Sequence, residues 1–312
     1  MRILNFGSMN IDTVFSVSHA ASAGESLSVP DPEVHAGGKG LNQSIAAARA
    51  GAEVFHAGRV GADGSFLLQL LARDGVDVSC VTTDTAARSG GAIIQVEPGG
   101  RNTMLIYGGA NKRIDETQLD AVFARFGRGD MLMLQNETNL ALTILCRAAE
   151  KGMRTLYNPS PVTPEIFGMP YAQIDLLIVN EDEAAALAGG LYPPEEMLGR
   201  LHKICPNTVI LTMGQRGSYT ILDGQIFHQE IFPVNAVDST GAGDTYAGYV
   251  AACLARGDGL QGAMRTAAAA SALAVTRLGA ASSIPSAREV AAFLTRQGQA
   301  DGTQSTEPQT NK

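Results

Sequence analysis

Short apolar runs recur along the chain, several of them apolar at nearly every position: ILNFGS (3–8), EVFHAG (53–58), DMLMLQ (130–135), RTLYNP (154–159), DLLIVN (175–180) and TVILTM (208–213). Strands apolar on both faces that alternate with helices belong to a parallel sheet covered on both sides. Between them, Ala-rich patterns predict helices over 40–51, 64–74, 115–125, 139–151, 181–188, 244–255, 259–278 and 286–297, a composition suited to close packing on a sheet. Two stretches break this rhythm. DTVFSVS (12–18) alternates polar and apolar residues, while GGAIIQVE (90–97) and NTMLIYG (102–108) flank Pro98, Gly99, Gly100 and Arg101 as hairpin arms would. They predict a small second sheet, a natural lid for excluding water from a transfer reaction. The expected organisation is one domain over 1–298, with lid segments near 12–36 and 90–108, followed by a disordered tail over 299–312 that is polar and without periodicity.

Composition narrows the function. The chain has 312 residues, 45% of them hydrophobic, enough for a full core, and a net charge of −8. An acidic chain without a basic stripe argues against nucleic acid as a partner and favours small-molecule chemistry. Anionic ligands must then be held by backbone amides, metal ions and one or two placed cations. Cys80, Cys146, Cys205 and Cys253 are scattered without a CxxC pair or clustered His, the pattern of reduced thiols, so cytoplasm is the expected location. MRILNFGSMNID at the N-terminus resembles a buried strand more than a secretion signal. No unbroken apolar run reaches the ~18 residues of a membrane span.

Candidate chemistry sits in two Gly-rich turns. DSTGAGD (238–244) runs into TYAGYVAACLA, an apparent helix beginning near Asp244. Gly241 and Gly243 let backbone amides approach an anion, and a helix N-terminus adds its positive end. Asp244 would then stand where a phosphate and an attacking hydroxyl meet. Taken alone, the turn reads equally well with Asp244 as a helix cap. GGKGLNQ (37–43) opens a second apparent helix and supplies Lys39 and Asn42; its cradle suits sugar hydroxyls as well as phosphate. A dinucleotide fingerprint is absent because GGKG follows lid-like sequence and no GxGxxG follows ILNFGS. His19, His35, His56, His202 and His228 form no pattern.

In order along the chain, NID (10–12), GGKGLNQ (37–43), QNE (135–137), NPSP (158–161), NEDE (180–183), TMGQRG (212–217) and DSTGAGD (238–244) resemble the ribokinase family of PfkB-type carbohydrate kinases, over roughly residues 1–297. The resemblance implies an α/β fold with a doubly wound, mainly parallel sheet, helices on both faces and a small β-sheet lid. It also implies ATP as phosphoryl donor, Mg²⁺, and a sugar clamped between lid and sheet. By match to the family, Asp244 is the catalytic base, and Gly241, Ala242 and Gly243 form the anion hole. Asn10, Asp12, Gly38, Lys39, Asn42 and Glu137 contact the sugar; Asn180, Glu183, Thr212, Gly214 and Gly217 attend the nucleotide and its metal. A monovalent cation site, expected to take K⁺, falls on Asp238, Thr240, Ala274, Arg277, Gly279 and Ser283. Ser239 is a mild departure from the family's motif, QNETNL departs around Glu137, and Ala267 stands where some relatives flank adenine.

Asn10 with Asp12 and the GGKGLNQ form resemble ribokinases more than fructokinases or adenosine kinases, and that resemblance implies phosphorylation of the 5-hydroxyl of D-ribose. Another furanose or a nucleoside is the alternative, with Thr13, Val14, Gly91 to Ile93 and Tyr107 as the residues that would differ. A silent sugar-binding regulator would need a lost base or anion hole, and Asp244, Gly241 and Gly243 are all present. A homodimer through the lid is expected, since an isolated small sheet leaves edges and one apolar face to cover.

Overall fold

A computed structural model describes the chain over residues 1–99 and 101–304. In chain order, β1 (Ile3–Phe6), β2 (Asn10–Ser16) and β3 (Glu33–Gly37) lead into α1 (Lys39–Arg49), β4 (Val54–Gly61), α2 (Ser65–Arg73) and β5 (Asp77–Asp84). Next come β6 (Gly90–Val96), β7 (Asn102–Tyr107), α3 (Glu116–Phe123), β8 (Met131–Gln135), α4 (Ala141–Glu150), β9 (Arg154–Asn158) and β10 (Leu176–Asn180). Then follow α5 (Glu181–Ala188), α6 (Pro194–Ile204), β11 (Thr208–Thr212), β12 (Ser218–Leu222), β13 (Gln225–Gln229), α7 (Ala242–Arg256), α8 (Leu260–Ala274) and α9 (Ala287–Gln304).

Nine strands form the main sheet in the order β13-β12-β11-β10-β9-β8-β1-β4-β5. All pairings from β5 to β11 are parallel, and β12 and β13 close one edge antiparallel. The continuous apolar strands are buried on both faces, as a parallel sheet between helix layers requires. Alternate residues enter two separate cores: Ile3, Met131, Met133, Ile178 and Ile210 pack with α1, α7 and α8, while Leu4, Leu132, Leu134, Val179 and Leu211 pack with α3, α4 and α6. The doubly wound sheet expected from the resemblance is therefore present.

The second sheet has the order β3-β2-β6-β7, with β2 and β6 parallel and both outer pairings antiparallel. Side chains alternate along a strand, so the register sets His35, Asp12, Ala92 and Ile106 on one face and Val34, Thr13, Ile93 and Leu105 on the other. Of the lid residues singled out above, Val14 and Ala92 share the face of Asp12; Thr13, Gly91, Ile93 and Tyr107 do not.

Several elements differ from expectation. α6 begins at Pro194 after a second Pro and contains Gly199, which obscured its helical set of Met197, Leu198 and Leu201; Pro at the first helical position is well tolerated. β12 and β13 are joined by Asp223 and Gly224, both with positive φ, a hairpin signal that the sequence carried openly. β3 and β5 are edge strands with mixed polarity, so periodicity did not mark them. α7 starts at Ala242 rather than at Asp244, and α8 ends at Ala274 rather than at 278. α9 runs on to Gln304, into the segment expected as a tail, because extending a formed helix adds one hydrogen bond per residue fixed. The remainder of that tail, 305–312, and Gly100 of the hairpin turn lie outside the described residues.

Candidate active site

The N-terminus of α7 lies at the centre of the site. Gly241 takes the left-handed conformation, φ 73°, that reverses the chain into the helix, and α7 carries no side-chain cap. Its first N–H groups are therefore open to a ligand, although that of Ala242 reaches back to the Ser239 carbonyl at 3.2 Å. A Cβ on Gly243 would meet no protein atom within 4 Å, so the space above this turn is clear.

Asp244, in the first turn, is buried, and both of its oxygens are held from α1. Asn42 Nδ2 donates to Oδ2 at 2.9 Å and Gln43 Nε2 to Oδ1 at 3.0 Å. The two helices approach closely because α7 has Gly248 where a Cβ would lie 2.5 Å from the Ala46 Cβ. Burial pushes the Asp244 carboxyl above its ordinary range, against the opposing pull of Lys39, Gln43 and Asn42, and the charge of Glu137 adds to the rise. Burial works against the charge of Lys39, yet Asp244, Glu137 and Glu183 hold its ammonium above the usual value.

Of the residues matched to the sugar, Asn42 bonds this carboxylate and Lys39 and Glu137 act on its charge. Glu137, on the loop after β8, accepts the Lys39 backbone N–H at 3.0 Å and the Ser8 hydroxyl. Gly38 has φ 96° and turns the chain from β3 into α1. Asn10, at the start of β2, accepts a hydrogen bond from Asn111 Nδ2 at 2.8 Å. Asp12 Oδ1 and Asn42 Oδ1 are buried acceptors without a partner among the described residues, an arrangement that asks for donors such as sugar hydroxyls. Burial first, then the repulsion of Glu137, raise the Asp12 carboxyl to about 6, opposed by the Ala92 N–H and His35.

The residues matched to the nucleotide lie at the ends of β10 and β11. Asn180 caps α5 in a reciprocal capping box with Glu183. Glu183 is buried with both oxygens engaged, by Asn180 and Asn158. Thr212 donates to the Val179 carbonyl, and Gly214 and Gly217 both have positive φ in the turn that follows. Ala267 is fully buried in the core and cannot line an open nucleotide surface.

Asp238 joins the two loops matched to a monovalent cation. Its Oδ1 accepts the Thr240 N–H and hydroxyl at 2.9 and 2.6 Å, and its Oδ2 accepts the Gly279 N–H at 2.8 Å. Burial opposes its charge, but these donors hold the carboxyl below the ordinary range. The Ala274 carbonyl accepts the Arg277 N–H, the Arg277 guanidinium pairs with Glu289, and the Ser283 hydroxyl donates to Ala280. Among the described residues no three His, Cys, Asp or Glu side chains form a metal-ligating group.

Five contributors escaped residue-by-residue reading. Gln43, Gln135 and Asn158 lay inside quoted motifs but drew no role there, and Ser8 and Asn111 carried no signal. Asn111 holds the crossing from β1 to β2: it accepts the Met9 N–H at 3.0 Å and donates to the Met9 carbonyl at 3.2 Å.

Residues 2–287 match the family described as pfkB family carbohydrate kinase. The chain is 32% identical over 299 residues to a ribokinase of Haemophilus influenzae, covering 92% of this chain and 96% of that one. It is 30% identical over 303 residues to a deoxyribokinase of Salmonella typhi, covering 94% and 99%. The structure of Arabidopsis thaliana ribokinase complexed with ribose and ATP superposes with a TM-score of 0.84 at 27% identity, covering 94% of this chain and 98% of that one.

Proposed function

The chain belongs to the pfkB family of carbohydrate kinases, and from that premise we propose that it is a ribokinase, transferring the γ-phosphoryl group of ATP to the 5-hydroxyl of D-ribose. The observation that carries this reading is one buried carboxylate, Asp244, at the open N-terminus of α7, held by Asn42 and lying within the charge of Lys39 and Glu137. As the hydroxyl oxygen bonds to phosphorus and the bond to the ADP oxygen breaks, Asp244 takes the hydroxyl proton. A carboxyl raised above its ordinary range is better matched to that transfer near neutral pH. The amides of Gly241, Ala242 and Gly243 receive the charge on the phosphoryl oxygens, aided by the helix end. Asn10, Asp12, Gly38, Lys39, Asn42 and Glu137 orient the sugar, and the small sheet acts as lid.

Thr212, Gly214 and Gly217 border the nucleotide phosphates. Both Glu183 oxygens already accept amide hydrogens, so Mg²⁺ arriving with ATP would be reached from Asn180 and Glu183 through water held by the remaining acceptor sites; bound there, the ion would supply charge neutralisation on the phosphates. The loops tied by Asp238 fit a monovalent cation held by backbone carbonyls, and K⁺ is assigned there, with Thr240, Ala274, Arg277, Gly279 and Ser283 forming its surroundings. Two subunits associate through their lids. No helix of the described residues is long and apolar enough to cross a membrane, and cytoplasm is the assigned location.

The deoxyribokinase relative, nearly as similar as the ribokinase, keeps a second furanose in view. ADP release across pentoses, hexoses and nucleosides, with and without K⁺, tests both substrate and cation: ribose turnover stimulated by K⁺ is expected. Background activity on ribose beside active turnover of deoxyribose would move the substrate and leave the kinase intact.

A further inference from the structure

We propose that Gln43, aligned by Gln135, is a positioning residue that fixes the orientation and proton affinity of Asp244; this rests on the reading of Asp244 as the base. Neither glutamine reaches substrate, for Gln43 is 0% and Gln135 1% exposed. Their influence passes through hydrogen bonds whose direction is forced at both ends.

A backbone carbonyl can only accept a hydrogen bond. The Gly40 carbonyl therefore faces Asn5 Nδ2, at 2.8 Å, which turns Asn5 Oδ1 toward Gln135. Gln135 must present its amide nitrogen there, and Nε2 donates to Asn5 Oδ1 at 3.0 Å and to Gln43 Oε1 at 2.8 Å. With its oxygen so engaged, Gln43 has only its nitrogen left to face Asp244. A second backbone carbonyl enforces the same result from the other side. Ile178 accepts Asn158 Nδ2 at 3.0 Å, which leaves Asn158 Oδ1 to accept Gln43 Nε2 at 3.3 Å.

The arrangement has an unfavourable element that supports it. Gln135 Oε1 is buried without a partner, and an orphaned acceptor is destabilising. Reversing that amide would set its oxygen against the oxygens of both Asn5 and Gln43, which is worse. The network thus keeps one unmet acceptor and delivers an N–H to the carboxylate.

The groups facing Asp244 are Lys39, Asn42 and Gln43 from α1 and Glu137 from the loop after β8. Lys39 and the two amides favour the charged form, while Glu137 opposes it. Loss of the Gln43 donor therefore makes Asp244 hold a proton to higher pH.

The test uses Gln43→Ala and Gln43→Glu in the full chain, with kcat followed against pH, sugar KM measured in parallel, and Asp244→Asn as reference. Gln43→Ala should lower kcat about ten- to a hundred-fold, as expected for a hydrogen bond to a charged group. Its sugar KM should stay close to that of the parent, and the acid limb of its profile should move to higher pH. Gln43→Glu should move that limb further, since two adjacent carboxylates disfavour each other's charge. A variant that loses only thermal stability, with kcat and acid limb unchanged, overturns the proposal. Where Gln43 variants fail to fold, Gln135→Glu removes the donor that aligns Gln43 and is read by the same profile. Turnover retained in Asp244→Asn overturns the base itself; an inactive Asp244→Asn beside unshifted Gln43 profiles overturns only the positioning role.

Discussion

His56 is a fully buried imidazole beneath the site, with its tautomer set by its neighbours. Its Nε2–H donates to the Gly7 carbonyl at 3.2 Å, and Nδ1 accepts the Ser44 hydroxyl at 2.8 Å. Burial lowers its pKa from 6.5 to about 4, with the Gly7 bond opposing. Between those values the unfolded chain binds a proton that the folded chain refuses, so stability falls as pH drops through that window and is unaffected above it. The full loss approaches roughly 3 kcal/mol. Thermal unfolding of His56→Gln against pH should show a flatter slope between pH 6.5 and 4 than the parent; parallel slopes would contradict the assignment. Asp12 yields a binding prediction of its own. With its carboxyl raised to about 6, it is ionised, and accepts hydroxyls with both oxygens and full charge, only above that pH. Sugar affinity by calorimetry should weaken as pH falls through 6, and Asp12→Asn should bind more weakly throughout while losing that dependence.

At the scale of elements, the contact of α1 with α7 brings Asn42 and Gln43 to Asp244. A Cβ at position 248 would lie 2.5 Å from the Ala46 Cβ, 2.7 Å from the Gln43 carbonyl and 2.8 Å from the Ala47 nitrogen. Two of these are backbone atoms with little room to retreat. Gly248→Ala should therefore cost about 1–3 kcal/mol by overpacking, seen as a lower urea midpoint. Turnover should fall more than stability explains, because the helices that align Asp244 are forced apart; unchanged stability and turnover would mean this contact is looser than described. Legibility varied with the kind of element. Strands such as MLML were plain because both faces are apolar. The segment PEEMLGRLHKI was not, since its Pro and Gly interrupt the pattern while only Met197, Leu198 and Leu201 face the core.

For the whole molecule, the lid sheet presents Ile93 beside Leu105 on the face away from Asp12, with Val34 beyond Thr13 on the same face, at exposures of 50%, 66% and 56%. An apolar row of this kind suits coverage by a second lid. Leu105→Lys with Ile93→Lys should convert the expected dimer to a monomer in sedimentation and weaken sugar binding by loosening the lid. A parent chain that already sediments as a monomer would remove the dimer.

By itself, the sequence determined the parallel sheet, the two-sided cores and the roster of polar residues at the site, because periodicity and glycine-rich turns are local properties written in neighbouring residues. Asp244 and Asn42 were visible on that basis, and Glu137 through the family resemblance. Tertiary structure decided which side chains serve one another: Asn42 holds Asp244 across 202 positions, Asn111 braces Asn10 across 101, and Gln135 turns Gln43 across 92. Such bonds depend on which end of an amide faces a fixed carbonyl after distant elements have packed, and no local pattern encodes that direction.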